Sequence, residues 1–225
     1  AGGHRVRVLD NLRSGFKHNL AGFECAFIEG SILDRETVRR AVQGVDYVFH
    51  LAAMISVPES MDKPIECTEI NTNGTLVVLE EAAKAKVKKL VLSSSAAIYG
   101  DNPVVPKIET MFPEPKSPYA ISKLDGEYYC QMFAREGRLQ TTALRYFNVF
   151  GPRQDPKSQY AAAVPIFIAR AVKNEPIRIY GDGEQTRDFI YVKDIAAVNA
   201  FFAVQSPRSG EVFNVSGGAR TSVLE

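Results

Sequence analysis

Two short runs, "DYVFHLAA" (46–53) and "KKLVLSSS" (88–95), restrict the fold more than anything else in the chain. A strand with one face in water alternates apolar and polar residues. Near-continuous apolar runs instead demand cover on both faces, as in a parallel sheet flanked by helices. The segments between them fit that demand. "DRETVRRAVQG" (34–44) is polar and helix-capable, and "PIECTEINTNGTLVVLEEAAKAK" (64–86) has apolar residues at helical spacing. "SPYAISKLDGEYYCQMFAREG" (117–137) opens on Ser-Pro and closes on Gly, the start and stop signals of a helix. "RVRVLD" (5–10), "CAFIEG" (25–30) and "TTALRYFNVFG" (141–151) read as further strands. This alternation predicts an α/β fold, a Rossmann-like doubly wound parallel sheet with right-handed crossovers.

After Gly151 the texture changes to short strands, one helix and frequent Pro and Gly. That stretch reads as a smaller α/β lobe at the carboxyl edge of the sheet, where open α/β proteins bind ligands. The expected division is a sheet domain over 1–151 to which 189–205 returns, with 152–188 and 206–225 in the lobe. The charge balance of +1 gives no basic footprint for nucleic acid. No apolar run approaches the roughly 18 residues of a membrane span. Three scattered cysteines and three scattered histidines suggest neither a disulfide framework nor a structural metal site. A reduced, cytoplasmic protein is expected.

Candidate chemistry begins with "SSSAAIYG" (93–100), at the exit of an expected buried strand. Serines there ordinarily cap helices or satisfy loop amides. Farther on, Tyr119 and Lys123 stand at i and i+4, on one face of the first turns of the 117–137 helix. An ammonium near a phenol favours the phenolate, so the spacing predicts a lowered Tyr119 pKa and a usable general base. Alone, such a pair also describes an ordinary surface contact. Beside a serine-ended strand it places an acid–base group, a hydrogen-bond donor and a cation at one crevice.

With these residues in place the chain resembles the extended short-chain dehydrogenase/reductase family, and within it the nucleotide-sugar 4-epimerases. The motifs are "VLDNLRSG", "HLAA", "NTNGT", "SSSAAIYG", "YAISK", "RYFNVFGPRQDP" and "GDGEQTRDFIYV", in that order. The resemblance implies NAD as cofactor, a UDP-sugar as substrate and a homodimer. It implies that Ser95 bonds the sugar oxygen, Tyr119 is the acid–base group and Lys123 holds the nicotinamide ribose, with Ser93 and Ser94 positioning. Asp10 and Asn11 are expected at the adenosine ribose, and Ser31 and Ile32 at the adenine. Leu51, Ala52, Ala53, Asn71, Ser93, Tyr146 and Val149 complete the expected cofactor contacts. Ser56, Asn148 and Arg187 are expected on the substrate side, with Tyr180 and the backbone of Ala163 near uracil. His50 is expected to be a packed core residue.

Two departures from the family pattern matter. Ser31 stands where an acidic residue is usual, so its bond to adenine lacks charge assistance. Ala96 and Ala97 stand where related dehydratases have an Asp-Glu pair and decarboxylases a Glu, which favours epimerisation. No Gly-rich phosphate loop precedes "AGGHRVRVLD". The chain therefore reads as an internal part of such an enzyme, with a gap expected between the "RVRVL" and "DYVFHL" strands and weak NAD binding. Another nucleotide-sugar enzyme, a reductase or decarboxylase, and a catalytically silent nucleotide-binding protein remain alternatives.

Overall fold

β4 (Lys89–Ser95) lies at the heart of a four-stranded, fully parallel sheet. Its neighbours are β3 (Tyr47–His50) on one side and β5 (Gln140–Tyr146) on the other, with β9 (Glu211–Val215) beyond β5. The computed structural model describes residues 3–155, 163–179 and 181–224. Successive β4 side chains enter opposite cores, as strand geometry requires. Leu90 and Leu92 join a core with α1 (Arg35–Val42), α4 (Gly74–Lys84) and α5 (Pro118–Arg135). Val91 joins a second core with Leu144, Val215 and α7 (Val192–Val204). Cover on both faces is what the unbroken apolar runs demanded.

The helix starts follow local chemistry. Ser117 caps α5, its hydroxyl accepting from the Ala120 amide at 3.2 Å, with Pro118 in the first turn. Ser56 caps α2 (Val57–Asp62) in the same way, accepting from the Glu59 amide at 3.1 Å. The 64–86 stretch is helical, but α3 (Pro64–Thr68) and α4 are joined by a wide π turn over Glu69–Asn73. Such turns often mark functional positions, and Asn71 lies in this one.

Three boundaries differ from the sequence expectation. The 141–151 segment is two strands, because β6 (Asn148–Phe150) leaves the main sheet to pair with β8 (Phe189–Tyr191). β9 pairs with β5 in the main sheet, so 211–215 belongs there and not to the lobe. The third difference is the π turn. α6 (Ala163–Val172) and an antiparallel pair, β7 (Thr186–Arg187) with β10 (Thr221–Ser222), make up the rest of the carboxyl-edge structure.

β1 (Val6–Asp10) and β2 (Cys25–Glu29) pair with each other in parallel and with no other strand among the described residues. The separation falls where the sequence placed a gap, between β1 and β3. α1 ties this pair to the remainder through Val38 and Val42 in the first core, and through Arg35, which bonds Glu80 at 2.6 Å and Glu81 at 2.7 Å.

Candidate active site

The carboxyl end of β4 meets the first turns of α5. Ser95 ends the strand and caps a short 3-10 turn over Ala96–Tyr99, accepting from the Ala97 amide at 3.1 Å. Its hydroxyl also acts on the Tyr119 phenol, opposing the upward pull of burial on that group's pKa. One turn along α5, the Lys123 ammonium donates to the Ser93 carbonyl at 2.9 Å, and its nitrogen stands 5.7 Å from the Tyr119 ring centroid. The three residues proposed as catalytic thus come together.

The electrostatics correct one expectation. The Tyr119 pKa is raised above its ordinary value of 10.0, not lowered. Burial of the phenol dominates, Ser95 partly offsets it, and the Cys67 thiol adds to it. The residue as a whole is partly exposed, but its titrating group is largely desolvated. Lys123 is buried, and loss of water lowers its pKa to about 8, with Cys67 opposing the shift. Its ammonium is spent on Ser93, beside the ring and not on the phenol oxygen. Spacing alone does not show that direction.

His50 is buried, with Nε2 2.8 Å from the Thr75 hydroxyl, and burial pushes its pKa down to about 3, with Lys123 adding to the shift. It is a neutral core histidine, as expected. Asn71 is buried and fully engaged. Its oxygen accepts from the Met54 amide at 2.7 Å, and its nitrogen donates to the Met54 carbonyl at 3.1 Å and to Ser122 Oγ at 3.0 Å. It clamps the loop after β3 onto α5. Ala52, Ala53, Asn71 and Lys123 share one narrow crevice, and Leu51 beside them is exposed.

At the end of β1, Asp10 Oδ1 accepts from the Leu12 amide at 2.6 Å, and Asn11 accepts from the Arg13 amide at 3.1 Å. The Ser31 hydroxyl accepts from the Leu33 amide at 3.1 Å, and Ile32 is buried in the first core. The Tyr146 hydroxyl donates to Asn199 at 2.8 Å, and burial raises its pKa to about 12 against opposing bonds to Asn199 and Ser93. Val149 packs beside it on the second core.

On the other side, pairing of β6 with β8 brings Asn148 close to Arg187. The Asn148 side chain donates to the Asp188 carbonyl at 2.9 Å, next to the exposed Arg187. The Asp188 carboxylate accepts from Gly217 at 2.7 Å and Gly218 at 3.2 Å, fixing that edge. Ala163 opens α6; Tyr180 lies outside the described residues. Ser56 is buried and its oxygen is engaged at the α2 cap. A cavity of about 950 Å³ opens elsewhere, between Phe189, Phe201 and Phe213, and its walls contain none of Ser95, Tyr119 and Lys123.

Sequence reasoning missed Glu127 and Arg145, a fully buried ion pair directly behind the serines. A signal was present. Arg145 interrupts an otherwise uncharged strand, and a buried charge requires a partner.

A parallel, doubly covered sheet with a Tyr-x-x-x-Lys helix against a serine-ended strand defines a short-chain dehydrogenase/reductase type of protein. The chain belongs to the NAD dependent epimerase/dehydratase family, whose sequence model matches residues 1–216. It is 38% identical over 232 residues to the UDP-glucose 4-epimerase of Mycolicibacterium smegmatis, covering 100% of this chain and 73% of that one. A Thermotoga maritima UDP-glucose 4-epimerase solved with UDP-glucose superposes with a TM-score of 0.93 at 44% identity, covering 99% of this chain and 72% of that one. A Methanobrevibacter ruminantium UDP-N-acetylglucosamine 4-epimerase, solved with UDP-N-acetylmuramic acid, gives 0.93 at 40%, covering 98% and 71%.

The donors and acceptors present suit NAD. Lys123 is buried at the crevice and spends one of its three N–H groups among the described residues, leaving donors for ribose hydroxyls. Asp10 uses Oδ1 for the turn, while Oδ2 has no hydrogen bond among the described residues. A carboxylate so placed is suited to ribose hydroxyls and unsuited to a 2′-phosphate. Ala52 and Ala53 keep the crevice wall low.

Proposed function

We propose that this protein epimerises a UDP-hexose at C4 through a transient 4-keto sugar. The observation that carries the reading is the convergence of Ser95, Tyr119 and Lys123 at the end of β4. NAD, when bound, supplies the hydride acceptor and donor for C4. Ser95 orients the 4-oxygen by hydrogen bonding. As the phenolate, Tyr119 takes the hydroxyl proton on oxidation, and as the resulting phenol it returns that proton on reduction. Burial raises its pKa and so favours the phenol, the form that returns the proton, over the phenolate that begins the oxidation half. Lys123, with donors left over beside its bond to Ser93, is assigned to the nicotinamide ribose. Arg187 and Asn148 are assigned to the diphosphate, for which a guanidinium fork is well shaped.

Ala96 and Ala97 offer no proton-transfer group for dehydration or decarboxylation, and the Ala97 amide is committed to Ser95. The reading extends to a reduced, cytoplasmic setting, supported by three unpaired thiols at Cys25, Cys67 and Cys130. It extends also to a homodimer, supported by Ile65 on α3 and Ile121 and Tyr128 on α5, apolar side chains that stay exposed. Proton NMR of the protein with UDP-glucose and NAD is the test. Appearance of the C4 epimer with neither net NADH nor carbon dioxide is the expected result. A dehydrated or decarboxylated product overturns the reading.

A further inference from the structure

All three serines that end β4 are met by one stripe of α5. Tyr119, Lys123 and Glu127 recur at every fourth residue and therefore share a helix face. Tyr119 is the group whose titration Ser95 influences, Lys123 donates to the Ser93 carbonyl, and Glu127 accepts from the Ser94 hydroxyl. Two of these contacts make the candidate active site; the third lies behind it. Glu127 also holds Arg145 by two parallel bonds, Nε to Oε1 at 2.9 Å and Nη2 to Oε2 at 2.7 Å. Ser94 and Arg145 are direct neighbours across β4 and β5, and both point toward α5. The remaining Arg145 nitrogen donates to the Tyr99 hydroxyl at 2.8 Å, which donates to Asn214 of β9 at 2.7 Å. One cluster thus pins α5, β4, β5 and β9 together, with Ser94, Glu127 and Arg145 at most 4% exposed.

Stability is a weak explanation for this cluster, because apolar residues of similar volume often replace a buried ion pair without loss. Geometry is a stronger one. A guanidinium fork on a carboxylate is satisfied only over a narrow range of separation and angle. We propose that Glu127, with Arg145 and Ser94, is a positioning group that sets α5 against β4 so that Tyr119 and Lys123 meet Ser95 and Ser93. The inference rests on the reading of Tyr119 as the acid–base group. None of the three is assigned to substrate or cofactor, so their effect runs through the placement of Tyr119. Burial dominates the titration of Tyr119, and Ser95 and Cys67 are the groups that act on it; Lys123 stands beside its ring, and on the β3 side Lys123 helps to hold His50 neutral.

The test compares Ser94→Ala, Ser94→Thr, Glu127→Gln and Tyr119→Phe in the whole protein. Glu127→Gln breaks a buried pair and risks misfolding; Ser94→Ala leaves that pair bonded and keeps the test decisive. Misplacement of reacting groups by about 1 Å costs on the order of 100-fold. By that measure kcat should fall about tenfold in Ser94→Ala and on the order of 100-fold in Glu127→Gln. KM for UDP-glucose should stay within about twofold, since neither residue binds it. Ser94→Thr, which keeps the hydroxyl, should recover most of the loss. Carbon-13 NMR of ring-labelled tyrosine, assigned with Tyr119→Phe, should show the Tyr119 titration moving in Ser94→Ala while other tyrosines stay put. Folded variants with unchanged kcat and unchanged Tyr119 titration overturn the proposal. So does a loss of rate that only tracks the folded fraction. If Tyr119→Phe retains turnover, the acid–base reading fails instead, and the Tyr119 titration still decides the positioning role.

Discussion

Tyr119 and Lys123 show how far a spacing rule carries and where burial takes over. The i, i+4 pattern put both side chains on one face, and the structure brings them to Ser95 and Ser93. Replacing Tyr119 by Phe should lower kcat by on the order of 10²–10⁴, the scale of general acid–base catalysis. UDP affinity by calorimetry should hardly change, and near-normal turnover would remove Tyr119 from the mechanism. Lys123 makes a second, thermodynamic prediction. Its folded pKa of about 8 lies below the ordinary 10.5. Between those values the unfolded chain holds more protons, so this residue makes stability rise with pH there, and its cost is fully present below about 8. The shift corresponds to roughly 3 kcal/mol, against about 1.5–3 kcal/mol for a bond from a charged group to the Ser93 carbonyl. Lys123→Met should therefore be at least as stable as the parent near neutrality, by up to about 1.5 kcal/mol, and this difference should shrink as pH rises through the window. Thermal melts of both proteins across it are the measurement; a variant less stable at every pH contradicts the desolvation account.

At the scale of elements, Gly100 closes the turn that follows the serines. Its φ of +57° and ψ of −135° suit glycine, and an added Cβ would run into the Glu114 carbonyl oxygen. The strained conformation alone costs about 1–3 kcal/mol for other residues, and the collision is with backbone, which yields little. Gly100→Ala should lower the urea midpoint by the equivalent of about 3 kcal/mol, and an unchanged midpoint would mean that the turn rearranges freely. The extended runs at β3 and β4 and the capped α5 were legible in the chain, because apolar continuity and Ser-Pro punctuation are local signals. The departure of β6 at Phe147 was not legible. "RYFNVFG" is equally apolar whichever strand it pairs with, and the partner, β8, lies some forty residues downstream. The return of β9 was hidden for the same reason, since pairing with β5 is a non-local choice. In the site, Tyr119 and Ser95 were legible by pattern. Asn71 was found, but its commitment to Met54 and Ser122 depends on a π turn that periodicity does not announce.

Across the whole molecule the two larger parallel sheets are unequally secured. β4 and β5 are buried almost throughout, while β1 and β2 are partly or fully exposed along their length. A two-stranded ribbon is marginal by itself, and this one depends on α1 packed against α4. The Arg35 pairs with Glu80 and Glu81 reinforce that contact, but Arg35 is half exposed and each pair contributes at most about 1 kcal/mol. Opening of β1 and β2 should therefore precede opening of β4 and β5. In native-state hydrogen exchange their amides should exchange at free energies well below the global value, as expected for a locally unfolding unit. Ligand binding sharpens the prediction, because Asp10 at the end of β1 is the carboxylate expected at the adenosine ribose. An opened β1 cannot present that carboxylate, so ligand bound only by the closed form must raise the opening free energy. At 100 times its Kd, NAD should add about 2.7 kcal/mol of protection to β1 amides. Equilibrium dialysis on the same samples reports occupancy. Bound NAD that leaves β1 exchange unchanged would remove Asp10 from the cofactor site, whereas slowed exchange that is lost in Asp10→Ala would place it there.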